Sequence, residues 1–287
     1  MSATLSIDIG GTKILAALVR GKEVLKSGTV PTSRGDGPDR WVSQAAELAA
    51  RWRGEFDRCG VTVTGKVHGG LWSAMNPRTL DIPDGYPLES RVAAVFDVPV
   101  TLCNDAQAAA WGEYCFGAGN QTDTVFLTVS TGIGGGAVID GRLIQGQSGI
   151  AGHFGLLQSE SGALLEDTAS GSWIADEAAL RGHSAGGPEV FAAAANGEAW
   201  AKNIIDESAA HIAGLCRNLQ LIFDPAVIVI GGGVGLAPGY LPRVKAKLEI
   251  LPAGVSSTLA RAALGANAGV LGIAALANLK NTREIRK

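Results

Sequence analysis

Two glycine turns, each set between apolar runs, constrain the fold of this chain more than any other feature. Leu5 to Ile9 and Ile14 to Val19 flank Gly10, Gly11 and Thr12, and in the second half Thr124 to Val129 and Gly136 to Ile139 flank Ser130-Thr131-Gly132-Ile133-Gly134-Gly135. An apolar run that turns back through glycines reads as a buried hairpin. Its recurrence predicts two related lobes rather than a solenoid, whose period is far shorter.

The rest of the chain fills in an α/β pattern. Helical spacing predicts a helix over Trp41 to Cys59 and alternation a strand over Val61 to Val67. Gly69 to Pro87, rich in Gly, Pro, Asn and Asp, predicts a long irregular segment of the kind that often carries function. A strand over Val98 to Leu102 and a helix over Ala106 to Tyr114 then place Asn104 and Asp105 between a strand end and a helix start, where ligands of open α/β sheets collect. Further helices are expected over Ser172 to Leu180, Phe191 to Asn196, Glu198 to Phe223 and near Val270 to Leu279, with a strand over Ala226 to Ile230 that runs into Gly231-Gly232-Gly233.

Composition narrows the partners. With 24 basic against 27 acidic residues and a net charge of -3, the 287-residue chain offers no electrostatic footprint for nucleic acid or an anionic membrane, which leaves a small molecule. Hydrophobic residues make up 46% and charged residues 18%, enough apolar material for a core. Cys59, Cys103, Cys115 and Cys216 are too scattered for a metal site and read as reduced thiols. Asp8, Lys13 and the double glycine interrupt any leader-like run near Met1, so a cytoplasmic location is expected.

Three stretches carry candidate chemistry. In Asp8-Ile9-Gly10-Gly11-Thr12-Lys13 the glycines allow backbone amides to approach phosphate oxygens, and a carboxylate at the strand end suits Mg²⁺ held through water. A plain hairpin turn accounts for the same residues. The turn from Ser130 to Gly136 has the same ingredients without the acid, and Ile228-Val229-Ile230-Gly231-Gly232-Gly233 permits close approach of a nucleoside; each is equally readable as loop. Asp105 at the helix start reads as an ordinary helix cap.

Taken in order, Asp8 to Lys13, the Asn104-Asp105 pair, the Ser130 to Gly136 turn, the glycine-rich stretch around His153, Glu166-Asp167-Thr168-Ala169-Ser170-Gly171 and the late Gly231-Gly232-Gly233 resemble the sugar kinases of the ROK family (repressor, open reading frame, kinase). The resemblance spans nearly the whole chain. It implies the two-lobed, actin-like (ribonuclease-H-like) α/β fold, with an N-terminal lobe over 1–117, joined by the final helix in 266–287, and a C-terminal lobe over 118–265. It further implies that Gly10, Gly11, Thr12, Lys13, Thr131 and Gly132 face the ATP phosphates, that Gly232 and Gly233 lie near the nucleoside, and that Asp8 serves Mg²⁺. Asp105 becomes the catalytic base, and Gly70, Asn76, Asn104, Asp105, His153 and Glu166 the sugar-binding residues.

The chain departs from the glucokinase-like pattern in two places. Where those members carry Gly-x-x-Gly-Glu-x-Gly-His, this chain has Gly149-Ile150-Ala151-Gly152-His153-Phe154-Gly155-Leu156, so the acid has become His153. That change, with the run Asn104 to Trp111, resembles bacterial N-acetylmannosamine kinases of sialic acid breakdown. The second departure is the family's zinc loop: Leu156 stands at the His position, no Cys occurs between Cys115 and Cys216, Leu164 takes the place of the last thiolate, and Leu157 to Leu165 is too short for the loop. No zinc is expected, and apolar packing by Leu156, Leu164 and Leu165 is expected to position Glu166 and His153.

The expected function is therefore ATP- and Mg²⁺-dependent phosphorylation of N-acetylmannosamine to its 6-phosphate. Another ROK hexokinase acting on glucose or N-acetylglucosamine is the alternative, and a sugar-sensing protein without activity is disfavoured by the presence of both Asp8 and Asp105. The repressor branch adds a helix-turn-helix ahead of the first motif, for which no room is expected before Asp8. The family habit is a dimer or tetramer, and a homodimer is expected.

Overall fold

The fold comes from a computed structural model that describes residues 2–75, 80–158, 162–250 and 258–284, with side chains to residue 279. The chain divides into two compact units, one of Met1–Phe116, Gln145–Ala151 and Ala266–Lys287, the other of Gly117–Ile144 and Gly152–Gly265.

In the first unit the opening glycine turn makes an antiparallel hairpin of β1 (Ala3–Ile9) and β2 (Lys13–Arg20), closed by the Ile9–Ile14 pair. An edge strand, β3 (Glu23–Pro31), follows, and then α1 (Pro38–Ala49) crosses to β4 (Phe56–Val63), which pairs parallel to β1. A short hairpin, β5 (Lys66–His68) and β6 (Leu71–Ser73), precedes α2 (Leu88–Phe96), β7 (Val100–Asn104) and α3 (Asp105–Phe116). The sheet order is β3-β2-β1-β4-β7.

The second unit repeats this plan. β8 (Thr124–Val129), β9 (Ile133–Ile139) and β10 (Arg142–Leu143) are antiparallel neighbours. After α4 (Glu166–Ala169), α5 (Gly171–Leu180), α6 (Gly187–Ala195) and the long α7 (Ala199–Phe223), strand β11 (Val227–Gly231) pairs parallel to β8. It is followed by α8 (Gly232–Gly235), α9 (Tyr240–Ile250) and β12 (Leu259–Arg261), giving the order β10-β9-β8-β11-β12.

The chain then returns to the first unit with α10 (Ala268–Glu284). This helix lies almost backbone to backbone on α3: a Cβ on Gly272 would stand 1.8 Å from the Ala108 carbonyl oxygen and one on Gly112 2.4 Å from that of Ala268. Only glycines permit that approach. Each unit has its own apolar core, built around Leu5, Ile7, Trp41 and Val61 in the first and Leu127, Ile174, Ile212 and Ile228 in the second. Among the described residues no helix is long and apolar enough to cross a membrane.

Several elements differ from the sequence expectation. The helix expected through Cys59 ends at Ala49, continues as one 3₁₀ turn to Trp52, and is broken at Gly54, whose φ of 84° is left-handed; Cys59 lies in β4. The strand expected over Val61 to Val67 is split at Gly65, φ 92°, into β4 and β5. The segment from Gly69 to Pro87 contains β6 and a bridge between Trp72 and Tyr86.

Candidate active site

In the first unit Asp8, Asn104 and Asp105 lie at the carboxyl ends of the parallel strands β1 and β7, on either side of β4. Asp8 near the end of β1 pairs in register with Thr62 of β4, and Val63 pairs with Asn104, the last residue of β7. Parallel pairing therefore brings together residues that are far apart in the chain, at the edge where open α/β sheets bind ligands.

Asn104 holds the helix that follows it. Its Oδ1 accepts the backbone N–H of Ala106 at 3.0 Å and of Gln107 at 3.1 Å, while its Nδ2 donates to the Gly65 carbonyl at 3.0 Å and, at 3.5 Å, to that of Val63. Asn104 is thus the N-cap of α3, satisfying two amides that the helix leaves unpaired. Asp105 shares only the first of these amides, its Oδ1 accepting the Ala106 N–H at 2.8 Å, and leaves that of Gln107 to Asn104.

Both carboxylates are held away from their solution behaviour. Desolvation, then the charge of Asp105, push Asp8 from an ordinary 3.8 to about 6, against the opposing pull of the Thr62 hydroxyl, which donates to Asp8 Oδ1 at 3.0 Å, and of Lys13. Burial also raises Asp105, opposed by its bonds with Ala106 and Asn104. Displaced carboxyl groups of this kind are typical of catalytic sites.

In the turn between β1 and β2, the Gly10 N–H donates to the Lys13 carbonyl at 3.1 Å, so this amide is consumed within the hairpin. Thr32 Oγ1 donates to the Gly10 carbonyl at 2.7 Å, and Arg34 donates to that of Gly11. Thr12 and Lys13 are exposed and Gly11 is half-buried. Gly70 lies at the tip of the β5–β6 hairpin and, with His68, Glu89, Leu102 and Gln145, lines a cavity of about 380 Å³. Asn76 lies outside the described residues.

The second unit joins two features that the sequence keeps apart. Glu166, the first residue of α4, accepts the Ile133 N–H at 3.1 Å through Oε2, and a Cβ on Gly132 would stand 2.3 Å from the same oxygen. The turn is braced from behind, with Gly171 N–H donating to the Ser130 carbonyl at 2.6 Å and Ser172 N–H to that of Thr131 at 3.1 Å.

Half-buried His153 immediately precedes the 3₁₀ turn Phe154–Leu156 and accepts the Leu156 N–H through its carbonyl at 3.0 Å. Before it, Gly152 at φ 90° abuts the Gly135 carbonyl, where a Cβ would come to 2.5 Å. Leu165 is buried in the core of the unit, while Leu156 and Leu164 are half-buried. A Gln158–Leu164 bridge and a 2.8 Å bond from Leu165 N–H to the Leu157 carbonyl close the loop. Its described donor groups do not fit zinc: neither thiol nor imidazole lies between Leu156 and Leu165, and among the described residues no cluster of three or more His, Cys, Asp or Glu is placed to hold a metal.

The two late glycines differ. Gly232, φ 84°, packs where a Cβ would stand 2.3 Å from the Val129 carbonyl, so its role in close packing is evident, whereas a Cβ on Gly233 would meet open space. Two residues here were not found by sequence reasoning. Thr62 gives no signal, because its partner comes from another strand. Gln107 had one available, its place in the third position of a capped helix.

Sheets, turns and carboxylates of this kind define a class. The ROK family model matches residues 4–280, and the chain belongs to that family. Its fold is the actin-like α/β fold of the ROK sugar kinases: the ROK hexokinase of Thermus thermophilus is 31% identical with a TM-score of 0.85, over 98% of this chain and 99% of that one. The bifunctional enzyme NanE/NanK of Brucella melitensis is 48% identical over 96% of this chain and 54% of its own length, so the chain spans about half of that relative. The N-acetylmannosamine kinase of Yersinia pseudotuberculosis is 37% identical over 88% of this chain and 90% of its own.

Proposed function

We propose that this chain is an ATP-dependent kinase that phosphorylates N-acetylmannosamine at its 6-hydroxyl, in the breakdown of sialic acid. The observation that carries the reading is Asp105: a desolvated carboxylate at the carboxyl edge of a parallel sheet, at the start of a helix capped by Asn104, with its charge acting on Asp8. The sugar is named from the N-acetylmannosamine kinase likeness across the chain.

In this reading the Asp105 carboxylate accepts the proton of the sugar hydroxyl as its oxygen bonds to the γ-phosphorus of ATP and the bond to the bridging oxygen breaks, releasing ADP. Burial raises its proton affinity above that of an exposed aspartate, which strengthens it as a base. The remaining work is positioning and charge stabilisation. The turn at Gly11, Thr12 and Lys13 and the turn at Thr131 and Gly132 serve the phosphates, Gly233 the nucleoside, and His153 and Glu166 the sugar. Asn104 acts mainly by aiming Asp105, since its own amide is occupied within the protein.

Asp8 fits a water-mediated Mg²⁺ ligand: it is acidic, half-buried and held by Thr62. When bound, Mg²⁺ supplies charge neutralisation at the phosphates. The four cysteines, none of them in a disulfide, suit a reducing cytoplasm, and a homodimer is the assembly proposed from the family resemblance.

The test is ADP release with N-acetylmannosamine, N-acetylglucosamine, mannose and glucose. N-acetylmannosamine is expected to give the highest kcat/KM. Equal or better turnover of glucose overturns the substrate.

A further inference from the structure

We propose that Gln107 is a positioning residue for sugar recognition, acting by bolting the segment Gln145–Ala151 to the helix that carries Asp105. The inference rests on the kinase reading of this site.

Gln107 lies two residues after Asp105 on α3 and is 1% exposed. Its Nε2 donates to the Ala151 carbonyl at 2.6 Å and to that of Gly149 at 3.2 Å, and its Oε1 faces the Cys103 thiol at 3.7 Å. Its backbone N–H is held by Asn104. One side chain thus spends both amide hydrogens on carbonyls of a single loop, from a base fixed by the cap that also orients Asp105. The loop is seated from its other side too: at Gly149, φ 81°, a Cβ would lie 2.0 Å from the Val67 carbonyl.

In sequence this loop runs directly into Gly152 and His153, the point at which the chain departs from the glucokinase-like pattern. The carbonyls of buried Gly149 and half-buried Ala151, left without donors, would seek other partners, and the loop would shift with them. The shift alters where the sugar-facing end of the loop begins while leaving the start of α3, which carries Asp105, capped by Asn104. Gln107 should therefore govern sugar affinity and selectivity more than the chemical step.

The experiment compares Gln107→Met, which keeps the bulk and removes both donors, and Gln107→Asn, which keeps the amide but falls one methylene short. Each is assayed with the hexose that the wild type turns over fastest. In the Met variant the sugar KM is expected to rise about tenfold, the scale of one lost buried hydrogen bond. Its kcat and its KM for ATP stay within about threefold. The Asn variant falls between it and the wild type, and decides the matter alone if the Met variant does not fold. Amide hydrogen exchange over 145–151 should quicken in both. An unchanged sugar KM overturns the proposal even where stability drops, as does a loss confined to kcat. If the wild type phosphorylates no sugar, the kinase reading fails instead; unchanged exchange over 145–151 then overturns the anchoring itself.

Discussion

Glu166 occupies the space that a side chain on Gly132 would need: its Oε2 accepts the Ile133 N–H at 3.1 Å and would stand 2.3 Å from a Cβ at Gly132. A carboxylate assigned to the sugar and a glycine turn assigned to the phosphates are therefore in contact within one unit, so a change in one moves the other.

That contact predicts an uneven response to Gly132→Ala. The obstructing atom is the tip of a flexible side chain, so the methyl is accommodated by moving Glu166 at little cost to folding. Activity should suffer more than stability, with kcat/KM falling about tenfold or more, as misplaced active-site groups commonly cause. Gly152→Ala should do the reverse. There the obstacle is the Gly135 backbone and φ is left-handed, so about 1–3 kcal/mol of stability is expected to be lost. Thermal melts and steady-state rates on both variants separate the two cases; equal loss of stability would show that Glu166 is not free to move.

The neighbouring residues Asn104 and Asp105 should separate in the same way. Asp105→Asn is expected to lower kcat by at least ~10²-fold, the usual contribution of a positioned base, with sugar binding kept. Asn104→Ala removes a cap worth about 1 kcal/mol and frees the helix start from Gly65, so stability and rate should fall together. Calorimetry with the sugar decides the first; near-normal turnover of Asp105→Asn would end its role as base.

Much of this site is legible in the sequence because glycine and the Asn-Asp pair mark turns and helix starts locally. The hairpin closed by Ile9 and Ile14, and the strand-to-helix junction at Asn104 and Asp105, are of that kind. The capping question was not legible, since Asn and Asp are both good caps, and only the 3.0 and 3.1 Å bonds assign the task to Asn104. Neither was the contact between Thr62 and Asp8, which depends on a parallel register. β3 escapes notice because it is a largely exposed edge strand that lacks a clear apolar alternation of its own and is held by pairing with β2. The helix overran its end because helical spacing continues by accident past Gly54 into the first residues of β4.

The loop from Leu157 to Leu165 predicts activity without zinc. It is closed by backbone pairing of Gln158 with Leu164 and anchored by buried Leu165, which leaves no closing task for a metal. Purified protein should contain less than stoichiometric zinc and keep its activity after a zinc chelator once Mg²⁺ is restored. Zinc lost together with activity would show that other ligands have been recruited.

Asp8 makes a prediction about pH. Its proton affinity is higher in the folded protein, about 6, than the ordinary 3.8. The folded state therefore binds the proton more tightly than the unfolded chain, and between these two values it carries more of it. Where the native state holds more protons, stability falls as pH rises. The contribution is fully present below about 4 and lost as pH passes about 6, leaving the ionised carboxylate as a cost on the order of 3 kcal/mol at neutral pH. Asn in its place carries no charge and keeps an oxygen for the Thr62 hydroxyl, which now donates to Asp8 at 3.0 Å. Asp8→Asn should therefore unfold at higher denaturant concentration than the wild type at pH 7.5, and the gap should narrow towards pH 4.5. Titrating groups that do not interact with Asp8 cancel in the difference between the two proteins. The same substitution removes the proposed support for Mg²⁺, so the more stable protein should be the poorer kinase, with a raised Mg²⁺ requirement. A stability gap of the same size at both pH values would mean that desolvation and the charge of Asp105 do not act on Asp8 as described.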